Sequence, residues 1–330
     1  MTRGQAARQV TAALRPLFRR LGAWRGVLVL NHHRIGDPAR SPFDRTMWSA
    51  TADAFDEQVR FLSREAEVIV PDELVAALAQ RRGRAVMLTF DDGYRDNHDV
   101  AYPILRSHGV PACFFVATGF VDSPSVPWWD EVAWMVRRSD RSVIEPGDWL
   151  AAPLDLDDRD HAAWLLNDRY KQLPGERTEA FLDFLAEASG SGRCRPEEAQ
   201  AEWMTWDMVR ELHKGGMAIG GHTVTHPVLS RRSPEEQDAE IHGCAKRLRD
   251  ELGEPMRAFS YPVGARSSFD AGTRAALERH AVELAFSFYG GYQRAGRLDR
   301  YDVPRSAVFA AWSRPDFIAT TLLPQAFAAA

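Results

Sequence analysis

Hydrophobic residues in this chain come in short unbroken runs, each followed by polar residues and then by an amphipathic stretch. Gly26-Val-Leu-Val-Leu30, Val86 to Phe90, Ala112-Cys-Phe-Phe-Val116, Met217-Ala-Ile219, Ala258 to Tyr261, Leu284 to Ser287 and a short Tyr301 to Pro304 read as strands. Such runs, with little polar alternation, mark strands covered on both faces, as in a parallel sheet. Between them apolar residues recur at helical spacing: Phe55, Val59 and Phe61-Leu62, then Leu74 to Leu78 after Pro71, Val100 to Leu105 closed by Gly109, Thr205 to Lys214, and Phe269 to His280. The clearest helix start is Ser233-Pro-Glu-Glu236, which combines a cap, a proline at the first position and a glutamate at the third. That helix runs to Leu252 and stops at Gly253. Strands alternating with helices predict a parallel β/α architecture.

One segment breaks the rhythm. From about residue 122 to 204 the chain carries Trp128, Trp129, Trp134, Trp149 and Trp164, helical stretches at Arg159 to Leu173 and Arg177 to Ala188, and a glycine-serine joint at 188–192, without a convincing strand. This predicts a helical insertion in a loop of the main domain. Its tryptophans are core residues or, for Trp128 and Trp129, the wall of a substrate cleft, because flat aromatic faces pack against sugar rings as well as against each other. The expected organisation is a basic segment over 1–25 and a barrel-type domain over 26–330 that contains the insertion.

Composition narrows the classes. The 330 residues, 45% hydrophobic and 26% charged, suit a soluble globular α/β protein. A net charge of -5 argues against a nucleic-acid partner. Cys113, Cys194 and Cys244 are scattered, with no CxxC pair, which suits a reducing compartment. No apolar run approaches the roughly 18 residues of a membrane span, so a cytoplasmic location is expected. Arg3, Arg8, Arg15, Arg19, Arg20 and Arg25 all precede the first acid, Asp37, and Val10, Leu14, Phe18 and Leu21 lie at helical spacing. That start is either a basic amphipathic helix at the inner face of a membrane or an ordinary solvated helix interrupted by Pro16.

Two stretches carry candidate chemistry. The run Val86 to Phe90 ends in Asp91-Asp92-Gly93. Adjacent carboxylates repel and lose hydration, and on an extended segment they point opposite ways. One can bind a cation while the other accepts a proton; an Asp-Gly turn with a helix-capping acid accounts for the same residues. The second stretch is Gly220-Gly-His-Thr-Val-Thr-His-Pro227. Three β-branched residues and Pro227 oppose a helix there, and four residues of strand span roughly 13 Å. A metal shared by His222 and His226 therefore needs a curled loop, and the two glycines are expected to supply the turn. Asp91 and Asp92, His222 and His226, Tyr261 and Pro262, and His32 and His33 each follow a different strand at the end where the working residues of β/α barrels gather. Two histidines and one carboxylate leave coordination positions open for water and substrate.

Thr89-Phe-Asp-Asp-Gly93, His222-Thr-Val-Thr-His226 and Phe259-Ser-Tyr-Pro-Val-Gly264 resemble the first three motifs of the polysaccharide deacetylase family, the NodB-homology or carbohydrate esterase 4 fold, over roughly Leu28 to Arg305. The resemblance implies a distorted (β/α) barrel and metal-dependent removal of N-acetyl groups from amino sugars. It implies Asp91 as general base, and Asp92, His222 and His226 as ligands of zinc or a similar divalent ion. A backbone N–H near Tyr261, Pro262 and Val263 is expected to face the oxyanion. The family's late histidine, its general acid, has no counterpart here: Leu284 to Ser287 leads to Phe288-Tyr289-Gly290. His33, after the first strand, is the candidate acid, and Arg305, ending the last strand, is the candidate partner that orients Asp91. The expected substrate is an amino sugar in a polysaccharide, an oligosaccharide or a lipid-linked precursor. The alternatives are hydrolysis of another linear C–N bond, or glycan binding without turnover.

Overall fold

The computed structural model describes residues 24–80 and 85–328, together with Ala6, Gln9, Val10 and Ala13, so the amphipathic reading of the basic start lies outside the described residues. Strands β1 (Gly26–His32), β2 (Ala85–Phe90), β3 (Cys113–Val116), β4 (Ala218–Gly221), β5 (Ala258–Ser260), β6 (Leu284–Ser287) and β7 (Val303–Ala307) form a closed parallel barrel. They follow one another around the ring in chain order. Closure falls on β1, which pairs with β2 from Val27↔Ala85 to His32↔Phe90 and with β7 from Val29↔Arg305 to Asn31↔Ala307.

Every residue of β1 and β2 is buried, which explains their unbroken apolar runs. The two faces separate by parity. Val27, Val29, Ala85, Met87, Cys113 and Phe115 pack together with Ala258, Phe286 and Val303. Leu28, Leu30, Val86, Leu88 and Phe114 pack instead against Phe55, Val59 and Leu62 of helix α1 (Ala52–Glu65). The first set fills the barrel and the second lies under the outer helices, as a two-residue side-chain period requires. That parity positions the chemistry, because Asp91 and Arg305 both continue inward-facing rows.

Between β3 and β4 lie helices α2 (Trp128–Arg138), α3 (Arg159–Lys171) and α4 (Thr178–Ser189), and a short hairpin of Val143–Ile144 with Leu154–Asp155 that the sequence pattern does not reveal. Val132, Trp134, Leu166, Phe181 and Leu185 give this segment a core of its own. The stretch 188–192 is a tied helix end rather than a free joint. Gly190 takes a φ of 73° at the helix stop, and Ser139 and Arg141 donate to the carbonyls of Ser189 and Ala188. Helix α5 (Pro234–Leu252) starts with the capping box expected at Ser233 and ends at Gly253. Among the described residues no helix is long and apolar enough to cross a membrane.

Two strand boundaries shift with consequences. β4 runs to Gly221, so Gly220 and Gly221 lie inside the strand and do not make the turn that follows. A Cβ at Gly220 would sit 2.5 Å from the Phe115 ring, and one at Gly221 would sit 2.1 Å from Met256 Sδ. Close packing, not turn freedom, is what requires glycine there. β7 extends to Ala307, which puts Arg305 in its middle.

Candidate active site

Asp91 and Asp92 leave the tip of β2 in different directions. Asp91 stays in the inward row and is 2% exposed. Arg305, fully buried, meets it with two parallel contacts, Nη1 to Oδ1 at 2.7 Å and Nη2 to Oδ2 at 2.8 Å. The guanidinium is fixed in turn: Nε donates to Ser287 O at 3.1 Å, Nη1 to Asn31 Oδ1 at 2.7 Å and Nη2 to Ser260 Oγ at 2.7 Å. Asn31 Nδ2 and Ser260 Oγ also donate to Asp91 Oδ2, at 3.2 and 3.3 Å. Burial pushes the Asp91 carboxyl up, but Arg305 and then His222 outweigh it and hold the group below the usual carboxylate range. Asp91 is therefore ionised at neutral pH. Asn31 and Ser260 were not singled out from the sequence, where nothing links them to Asp91.

Asp92 adopts a φ of 75°, which turns it out of the strand row. Its Oδ1 lies 3.3 Å from His222 Nε2 and 3.4 Å from His226 Nε2, and the three ligand atoms fall within 4.8 Å of one another. His222 Nδ1 donates to Ser260 O at 2.7 Å, which fixes the ring so that Nε2 faces Asp92. Burial lowers the pKa of this ring, but the Asp91 and Asp92 carboxylates outweigh it and raise the pKa. Burial, followed by the neighbouring His222, pushes His226 down to about 3, which leaves it neutral. Both Asp92 oxygens are buried without a hydrogen-bond donor among the described residues. A buried carboxylate with no donor and two imidazole nitrogens converging on it form a donor set that fits a divalent ion such as zinc.

The loop that curls the two histidines together is made by its own side chains. Thr223 and His226 take φ values of 67° and 58°, uncommon for any residue but glycine and costly for a β-branched one. Thr223 Oγ1 accepts from the His226 N–H at 2.9 Å. Glu240 on α5 accepts from the Val224 and Thr225 N–H groups at 2.8 and 2.9 Å, and from the Thr225 hydroxyl at 2.6 Å. Glu240 went unnoticed in the sequence because it lies mid-helix and reaches the loop only in space.

Trp128 and Trp129 begin α2 and reach the same site. Trp129 meets the His226 ring at a 4.4 Å centroid distance and donates Nε1 to Tyr94 OH at 2.8 Å, which donates to Asp130 at 2.9 Å. Trp128 stacks on Tyr170 at 4.3 Å and donates weakly to His226 O at 3.4 Å. Both are largely buried and still line a cleft of about 500 Å³ that opens over Asp91 and Asp92. His33 lines this cleft too, 5.7 Å from the Phe288 ring.

The expected oxyanion donors narrow to one. The Tyr261 N–H is spent on Phe286 O, its hydroxyl on Tyr301 O, and its ring stacks on Phe269 at 3.9 Å. Pro262 has no N–H. Val263, at a φ of 64° and on the cleft wall, keeps an N–H with no acceptor among the described residues.

The family model for polysaccharide deacetylases matches residues 79–141 and 158–285, more than half of the chain. The polysaccharide deacetylase-type protein YxkH of Bacillus subtilis (strain 168) is 38% identical over 201 residues, which cover 60% of this chain and 44% of that one. The match thus spans less than half of that relative's length. The deacetylase PplD of Streptococcus pyogenes, solved in complex with acetate, superposes with a TM-score of 0.58 at 19% identity, covering 90% of this chain and 98% of that one. A de-N-acetylase from Aggregatibacter actinomycetemcomitans gives a TM-score of 0.56 at 16% identity, over 87% and 96% of the two chains. At these identities the structural likeness speaks for the fold, the distorted (β/α) barrel.

Proposed function

Since this chain belongs to the polysaccharide deacetylase family, we propose that it is a metal-dependent hydrolase that removes N-acetyl groups from an amino sugar within a glycan. One observation carries the reading: a buried Asp92–His222–His226 set, whose carboxylate lacks any donor, stands beside an Asp91 already paired with Arg305.

Asp92, His222 and His226 would hold the ion, for which we favour zinc. A divalent ion in such a set polarises an amide carbonyl and lowers the pKa of bound water towards about 7. Asp91, ionised and held by Arg305, Asn31 and Ser260, accepts a proton from the attacking water. A well-placed base of this kind contributes roughly 10²–10⁴ in rate. The Val263 N–H is free to donate to the developing oxyanion, and such donors act strongly where water is excluded. His33, on the same cleft wall, is placed to supply a proton to the departing sugar amine. The net reaction gives free acetate and a sugar amine.

The test is acetate release from a panel of N-acetylated saccharides, before and after chelation and again after return of zinc. Release that stops on chelation and returns with metal supports the reading. Metal binding without release from any amino sugar overturns it in favour of glycan binding. Release that persists after exhaustive chelation overturns the metal requirement.

A further inference from the structure

Helix α3 brings a second set of groups to the cleft. Trp164 and Lys171 stand seven residues apart on it, two turns of helix, so they share a face. Both line the cleft that contains Asp91 and Asp92. Trp164 is 53% exposed and Phe309 is 55% exposed; they are the exposed large aromatics among the described residues, and both line this one cleft. His161 lies nearly parallel to the Trp164 indole, with ring centroids 5.9 Å apart.

Lys171 is unusual in a different way. Asp168 and Asp44 act on its ammonium through space, without a hydrogen bond, while burial of the side chain opposes the charge. Each of these carboxylates is engaged elsewhere: Asp44 accepts from the Thr46 N–H and hydroxyl and from Asn167, and Asp168 accepts from Gln172. Nζ rests 6.0 Å from the Trp128 ring centroid. Among the described residues no carboxylate comes within ion-pair distance of Nζ, so its N–H donors stay available to an incoming anion, and partial desolvation strengthens that attraction.

We propose that this face of α3 is a subsite for a neighbouring sugar of the substrate chain, which stacks its ring on Trp164 and sets an anionic substituent, carboxylate or phosphate, against Lys171. The inference rests on the reading of the cleft as an amino-sugar site, and it adds a preference for acidic glycans. Phe309 supplies a further apolar wall. A lysine in a helix face is ordinarily a solvated surface charge; here partial burial, the lack of an ion pair among the described residues and the exposed indole on the same face argue for a ligand.

The experiment measures binding to the metal-loaded protein by titration calorimetry, so that no turnover is needed. The probes are a neutral N-acetylglucosamine oligomer, an oligomer alternating N-acetylglucosamine with glucuronate, and N-acetylglucosamine 1-phosphate. At least one acidic probe is expected to bind about tenfold more tightly than the neutral one, the size of a charge-assisted contact. The preferred acid, uronate or phosphate, identifies the anion. Lys171→Gln should abolish the preference and Lys171→Arg restore it, while Trp164→Ala weakens every probe severalfold. No binding by the wild type, equal binding of acidic and neutral probes, or a preference that survives Lys171→Gln would each overturn the subsite. Absence of acetate release from all probes would overturn the deacetylase reading alone, since affinities are read separately.

Discussion

At the scale of single residues, two neighbours with the same side chain meet opposite environments. Asp91 receives a guanidinium and two neutral donors; Asp92 receives two imidazoles and no donor. Asp92→Asn removes the anionic member of the proposed metal-binding set and should weaken metal binding by more than about a hundredfold, beyond the usual loss for an outer-shell change. Asp91→Asn should keep the metal and lower kcat by about 10²–10⁴. Metal analysis of the two purified variants alongside acetate release separates the roles, and equal metal loss would refute the division. Arg305→Lys keeps a charge but loses the planar two-point contact. The Asp91 carboxyl should then titrate at higher pH, so the acid limb of the pH–rate profile moves upward. An unmoved limb would mean that Arg305 does not set the ionisation of the base. His33→Ala should retain metal and lower kcat; an unchanged rate would assign the acid elsewhere.

At the scale of elements, the histidine loop depends on neighbours more than on its own sequence. Thr223 and His226 hold left-handed conformations against their intrinsic preference, and Glu240 anchors the turn from α5 with three hydrogen bonds. Glu240→Ala should reduce metal affinity about tenfold or more, on the scale of lost outer-shell support, while the fold persists by circular dichroism. Unchanged metal affinity would show that the loop holds its shape without the clamp. Helix α2 acts on the same loop from the other side. The His226 Nδ1 atom has no partner among the described residues, so packing by Trp129 helps to orient the ring. Trp129→Ala is therefore expected to lower metal affinity as well as glycan affinity, measurable by competition with a chelator. Trp129 joins the insertion to the histidine loop, whereas Trp164, at its exposed edge, lines the cleft.

At the scale of the whole molecule, acid stability depends on imidazoles that the fold keeps neutral. His32 is fully buried, stacked on Phe90 and edge-on to Phe55. Burial pushes its ring down to about 4; Gln58 and the Thr89 backbone lie near but leave both nitrogens without a hydrogen bond of normal geometry. The unfolded chain takes up this proton first, at about 6.5, so the contribution of His32 is complete above that pH. It is lost as pH falls from about 6.5 towards 4, an effect of roughly 3 kcal/mol. His32→Phe, which removes the titration and keeps an aromatic ring, should flatten the fall of Tm across that window. An equal fall in wild type and variant would place the acid sensitivity elsewhere.

What the sequence determined alone is what local pattern can encode. Unbroken apolar runs marked the barrel strands and their order, because a strand covered on both faces has no polar side to show. The acids after Phe90 and the histidines after Gly221 were readable as chemistry at strand ends for the same reason: a buried run stops where side chains regain polar work. Tertiary structure decided the rest. Alternation tells which face a residue takes, but only closure of the ring sets Arg305 opposite Asp91 across 214 residues, and it brings Asn31 and Ser260 to the same carboxylate. The turn assigned to Gly220 and Gly221 moved to Thr223 and His226 because neighbouring strands claim the space a Cβ would need and Glu240 stabilises the strained loop. Backbone strain and long-range pairing arise from what surrounds a segment, and a linear pattern of apolar and polar residues carries no record of those surroundings.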